Sequence, residues 1–101
     1  MFEFEELDSS GYPTEEWLQY IEYYIIQSKA DCKKLLDEIK PYWLYSEIEY
    51  WKETDNEYHL STGGWSGNEI IIEVLMENIL FWQVSWVQTR RGGHYIFDVG
   101  A

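Results

Sequence analysis

A chain of 101 residues fits one domain, and folding at that size buries well over half of the unfolded surface, so one core can form without disulfide or metal staples. Nineteen acidic groups against seven basic ones give a net charge of -12, which repels nucleic-acid phosphate and anionic lipid except where the field is locally reversed. Disordered acidic chains are poor in aromatics, whereas six tryptophans and nine tyrosines in a 46% hydrophobic composition predict a folded acidic globule.

Cys32 is the only cysteine, so no intrachain disulfide is available, and the longest apolar runs fall far short of the ~20 residues of a membrane span. Met1-Phe2-Glu3-Phe4-Glu5-Glu6 lacks the basic and apolar regions of a secretory signal. A reducing cytoplasm is the expected compartment.

Thr14, after Pro13, is placed to cap a helix, and Trp17, Ile21, Tyr24 and Ile25 then share one face, with Glu15 and Glu16 in the first turn. This spacing predicts a helix from about Thr14 to Lys29. Asp31 is placed to cap a second, short helix in which Cys32, Leu35, Leu36 and Ile39 repeat the pattern, and Pro41 stops it. From Tyr42 to Lys52 two patterns compete: Leu44, Ile48 and Trp51 suit a helix, while Leu44, Ser46, Ile48 and Tyr50 suit one strand face. Aromatic richness favours the strand. Asp55-Asn56 reads as a turn, and Glu57 to Ser61 as a short strand that completes a hairpin and runs into a glycine loop.

Ser66-Gly67-Asn68-Glu69 has the form of a capping box, in which Ser66 and Glu69 each satisfy an unpaired N–H at a helix start. Ile71, Leu75 and Ile79, with Ile72 and Met76, form the expected buried face; Glu69, Glu73 and Glu77 line up outside at steps of four. After Asn78 the period changes to two, with Leu80, Trp82, Val84 and Trp86 on one strand face. Arg90 to Gly93 turns the chain, and Tyr95, Phe97 and Val99 complete a terminal hairpin. The expected fold is a single α+β domain: an antiparallel sheet of about four strands, two N-terminal helices and one helix after the glycine loop. Its strand order does not follow from this pattern.

Five of the 7 glycines and both arginines fall in two segments, Ser61-Thr62-Gly63-Gly64-Trp65-Ser66-Gly67-Asn68-Glu69 and Arg90-Arg91-Gly92-Gly93-His94-Tyr95. A glycine loop ending at a helix N-terminus can aim several N–H groups at one anion, and a forked guanidinium is a preferred donor to phosphate or carboxylate. The candidate ligand-binding set is therefore Thr62, Gly63, Gly64, Trp65, Ser66, Gly67, Asn68, Arg90, Arg91, Gly92, Gly93, His94 and Tyr95, with Trp65 placed to stack on a base. Taken singly, each loop is accounted for by turns and a helix cap. Arg90 or Arg91 could equally offset the stripe of Glu69, Glu73 and Glu77. No phosphate-loop consensus is present. Gly64-Trp65-Ser66-Gly67 is not a nucleophile elbow, because G-x-S-x-G needs glycine where Asn68 stands. His59, His94 and Cys32 lack metal-ligand spacing. No catalytic residue, metal or cofactor is expected.

The strings Tyr58-His59-Leu60-Ser61-Thr62-Gly63-Gly64-Trp65-Ser66-Gly67-Asn68-Glu69, Leu80-Phe81-Trp82 and Arg90-Arg91-Gly92-Gly93-His94-Tyr95 resemble those of an uncharacterised family of small bacteriophage and prophage proteins. The likeness covers about Tyr58 to Phe97. It implies a phage accessory protein acting in the cytoplasm of the bacterial host, and carries over no activity. The leading expectation is a non-enzymatic protein that binds a small anionic ligand of the nucleotide kind and sequesters it in counter-defence; self-association is compatible with this. The alternative is an acidic inhibitor that imitates nucleic acid and occupies a host defence protein, a nuclease or CRISPR effector. A hydrolase using His59 or His94 is a third class. Neither direct nucleic-acid binding nor membrane attachment is expected.

Overall fold

The computed structural model describes residues 4–47 and 49–100. Met1, Phe2 and Glu3 of the expected signal-free start, and Ile48 of the competing helix and strand patterns, lie outside the described residues. The elements run α1 (Glu15–Glu22), α2 (Lys29–Ile39), a short 3-10 turn (Lys40–Tyr42), β1 (Trp51–Glu53), β2 (Glu57–Ser61), α3 (Ser66–Glu77), α4 (Ile79–Ser85), β3 (Trp86–Arg90) and β4 (His94–Asp98). Among the described residues the chain is α+β, with four helices beside a four-stranded antiparallel sheet of order β1-β2-β4-β3.

Thr14 caps α1 as expected, its Oγ1 accepting from the Trp17 N–H at 3.2 Å. The helix nevertheless ends at Glu22 instead of continuing to Lys29. A distant side chain stops it: Asn78 Nδ2 donates to the carbonyls of Ile21 (3.0 Å) and Tyr24 (3.1 Å), satisfying acceptors that a continuing helix would use. Ile26 then turns into the core while Ile25 faces solvent. In α2 the apolar residues Cys32, Leu35, Leu36 and Ile39 are buried as the spacing requires. The N-cap position belongs to Ser28, not Asp31, whose carboxylate reaches back to accept from the Gln27 N–H at 2.8 Å.

The expected strand over residues 42–52 is corrected. The 3-10 turn takes up Tyr42, a run of turns follows, and strand structure begins only at Trp51. The aromatics there are used for packing: the Trp43 ring meets Trp51 edge-on at 5.7 Å, and its indole donates to the Ser61 carbonyl at 3.0 Å. Leu80 to Ser85 is likewise helix, not strand. Asn78 Oδ1 accepts from the Phe81 N–H at 3.2 Å, so one asparagine ends α1 and caps α4. Phe81 and Ser85, one helical turn apart, are the buried positions of α4. Of the expected α3 face, Ile71, Ile72 and Leu75 are buried, but Met76 and Ile79 are 43% and 63% exposed.

The helices cover one face of the sheet. Trp51, Tyr58, Leu60 and Phe97 join Trp17, Ile21, Leu35, Leu36, Ile39, Ile71 and Leu75 in a continuous core. Strand side chains alternate between faces, so the residues between these point away from the helices, onto the open face.

Candidate functional site

Register decides which side chains meet on that open face. Lys52 on β1 pairs with His59 on β2, which pairs with Ile96 on β4, opposite Gln88 on β3. In the adjacent row Ser61 pairs with His94, and His94 with Arg90; Tyr50 extends this row, its carbonyl accepting from the Ser61 N–H at 2.8 Å. Partners across a ladder share a face. Both histidines of the chain, one of its two arginines and Lys52 are thereby brought together, and they line a cleft of about 530 Å³ with Tyr50, Ser61, Gly63 and Tyr95.

Ile96 is the floor of this cleft. It is only 3% exposed although it lies on the face away from the helices and outside the main core. His94 Nδ1 lies 2.5 Å from Ser61 Oγ, and His59 Nε2 lies 3.1 Å from Glu57 Oε1. Arg90 Nε donates to Gln88 Oε1 at 3.2 Å, which holds the stem and leaves the two terminal nitrogens for a ligand.

Electrostatics single out the same cleft. Three of the five lysines are taken up by carboxylates: Lys29 with Asp98 at 2.7 Å, Lys33 with Asp37 at 3.0 Å and Lys40 with Glu53 at 3.0 Å. Among the described residues, Lys34, Lys52, Arg90 and Arg91 have no such carboxylate partner. Lys52 and Arg90 lie in the cleft, where Glu49 and Glu57 are the nearby acids. These two positive and two negative side chains make the cleft close to neutral, which in a molecule of net charge -12 is a local relief of the negative field. Neither arginine pairs with Glu69, Glu73 or Glu77 among the described residues, so that competing account of the arginines finds no support.

The two sequence segments do lie side by side. The Thr62 N–H donates to the Gly93 carbonyl at 3.0 Å, and Gly93, at φ +80°, packs so closely that a Cβ there would stand 2.4 Å from Thr62 Oγ1. Gly63 serves a different contact: at φ +62° it leaves room for the Tyr50 ring, which a Cβ would meet at 2.1 Å.

Most of the glycine loop serves the fold. Thr62 and Asn68 are 2% and 1% exposed. Asn68 Oδ1 accepts from the Leu44 N–H at 3.0 Å, and its Nδ2 donates to the carbonyls of Thr62 and Leu44, both at 3.4 Å. Ser66 is the first residue of α3 and not its cap, a position held by Trp65; its hydroxyl lies 3.0 Å from the Tyr12 hydroxyl. The Trp65 ring packs on Tyr12 at 4.8 Å and covers Gly67, where a Cβ would meet its Nε1 at 2.5 Å. The helix start is thus roofed by Trp65, while Gly64 and Arg91 are exposed outside the cleft. Gly63, Arg90, Gly92, His94 and Tyr95 of the candidate set line it. Tyr50, Lys52, His59, Ser61 and Ile96 are additions. Their signal was the alternation of His59 with Ser61 and of His94 with Ile96, which becomes informative only once β2 is known to pair with β4.

Cys32 is fully buried and burial pushes its thiol up, away from the reactive thiolate. No group of three or more His, Cys, Asp and Glu among the described residues is placed to hold a metal ion, and no described helix is long and apolar enough to cross a membrane. A larger cleft of about 780 Å³, lined by Tyr20, Tyr23, Tyr24 and Ile25, carries Glu16 and Asp31 against Lys34 alone, so an anion is better served on the sheet. The chain matches no family model, no curated protein and no solved structure.

Proposed function

We propose that this protein binds a small anionic ligand of the nucleotide class on the open face of its sheet. The observation that carries the reading is the convergence of Lys52, His59, His94 and Arg90 on one cleft of a strongly acidic molecule. The free ends of Arg90 supply directional donors to phosphate oxygens. Trp65 is packed on Tyr12, so the aromatic surface available to a base in the cleft is that of Tyr50, which lines its wall. The acidic remainder of the surface disfavours long polyanions, which favours a mononucleotide or short oligonucleotide over RNA or DNA. Taken with the resemblance to phage proteins, sequestration of a nucleotide signal used in antiviral defence is the role such binding would serve.

Calorimetry with a panel of nucleoside mono- and diphosphates tests this. Lys52→Ala and Arg90→Ala should each weaken binding several-fold, about 1 kcal/mol for exposed charged contacts, and added salt should weaken it further. Glu73→Lys and Glu77→Lys should leave it nearly unchanged. If the protein instead imitates nucleic acid for a host nuclease, the order inverts: the glutamate reversals abolish the interaction and the cleft variants are tolerated.

A further inference from the structure

We infer that the same cleft cleaves a short ribonucleotide at a phosphodiester beside a free 2′-hydroxyl, with His59 and His94 as the proton-transfer pair; this rests on the anion-binding reading above. The two histidines are the only ones in the chain and stand on adjacent antiparallel strands, on one face. His59 pairs with Ile96 and His94 with Ser61, so the imidazoles are diagonal neighbours, with Cα atoms roughly 7–8 Å apart. That separation admits a phosphate between them, over the apolar floor of Ile96.

Each imidazole is held at one nitrogen and open at the other. Glu57 takes His59 Nε2 and Ser61 takes His94 Nδ1, leaving His59 Nδ1 and His94 Nε2 without a protein partner among the described residues. Gly92, beside the open edge of His94, has no side chain to close it. Lys52 lies across the ladder from His59 and Arg90 across from His94, so a positive charge stands behind each histidine. Charge that builds on the non-bridging oxygens as phosphorus becomes five-coordinate is stabilised from both sides.

The step balances without water, metal or redox partner. One imidazole removes the proton of the 2′-hydroxyl, O2′ forms a bond to phosphorus, the bond from phosphorus to O5′ breaks, and the other imidazolium protonates O5′. The products are a 2′,3′-cyclic phosphate and a free 5′-hydroxyl. Proton exchange with solvent then restores the starting pair.

The experiment incubates the full chain, with a chelator present, with linear and cyclic diribonucleotides and with the 2′-deoxy form of the linear one, and follows products by mass spectrometry and binding by calorimetry. The expected result is a 2′,3′-cyclic phosphate from ribonucleotide only, with the rate lowered about 100-fold or more in His59→Ala and in His94→Gln. His94→Gln keeps a hydrogen-bonding partner for Ser61, and circular dichroism of each variant establishes that it is folded. Binding without cleavage overturns the catalytic assignment and keeps the anion site. Neither binding nor cleavage overturns both. Cleavage that survives in either folded variant, or that acts equally on the deoxy compound, overturns the two-histidine assignment.

Discussion

Asn78 Nδ2 stands 3.0 Å from the carbonyl oxygen of Ile21, a residue 57 positions earlier in the chain. With the bonds to Tyr24 and Phe81, this one side chain closes α1, opens α4 and ties the two halves of the helical layer together. It is 5% exposed, so its own amide has little access to water in their place. Asn78→Ala is expected to destabilise the fold by about 3 kcal/mol, the cost of leaving buried groups unpaired and losing a cap. Urea unfolding should show a lower midpoint at an unchanged slope; a loss under 0.5 kcal/mol would mean these bonds contribute little.

The glycine contacts make a paired prediction. Gly64 and Gly93 both have positive φ, +74° and +80°, but a Cβ at Gly64 meets nothing within 4 Å whereas at Gly93 it meets Thr62 Oγ1 at 2.4 Å. Gly64→Ala is expected to lose about 1 kcal/mol from backbone strain alone. Gly93→Ala should lose clearly more, because it also pushes apart the two segments joined through Thr62. Equal losses in thermal or urea unfolding would contradict the close contact.

Ser66 separates the sequence pattern from the fold. A capping serine replaced by alanine loses about 1 kcal/mol, but here the hydroxyl is exposed and meets Tyr12 instead of the helix N–H groups. Ser66→Ala is therefore expected to change stability by less than about 0.5 kcal/mol. A full kilocalorie of loss would restore the capping role.

Tyr58 gives stability an alkaline limit. Burial, and then its hydrogen bond to Asp37, push the Tyr58 hydroxyl up to about 12 from its ordinary 10.0. Raising a folded-state value favours the protonated form, so this contribution is fully present below about pH 10 and is lost as pH rises toward the folded value. Unfolding free energies from pH 8 upward should fall more steeply in the wild type than in Tyr58→Phe, which has no proton to lose there. Parallel curves would contradict this.

Much of the fold was legible because it rests on local signals. Thr14 as a cap, the buried stripe of α2, and β2 from Glu57 to Ser61 stand where sequence spacing puts them. The misreadings share a physical cause: partners far away in sequence. Asn78 shortens α1, and its cap makes Ile79 to Ser85 a helix although Leu80, Trp82, Val84 and Trp86 also alternate as a strand would. Trp43 and Tyr50 carry the aromatic signature of a strand but serve the packing of a turn region. The cleft was half legible for the same reason. Arg90 and His94 stood out by composition, while Lys52 and His59 join them only through the pairing of β1 with β2 and of β2 with β4.

We propose that the open sheet face, and not the glycine-rich helix start or the acidic surface, receives the anion. It is tested most directly by a heteronuclear NMR titration of the full chain with adenosine monophosphate, following backbone amides and the imidazole resonances of both histidines. Saturable shifts are expected at Lys52, His59, Ser61, Arg90 and His94, with both imidazoles responding. Shifts confined to Trp65–Glu69 at the start of α3, or to the face of Glu69, Glu73 and Glu77, would contradict it, as would a titration that leaves both histidines unmoved.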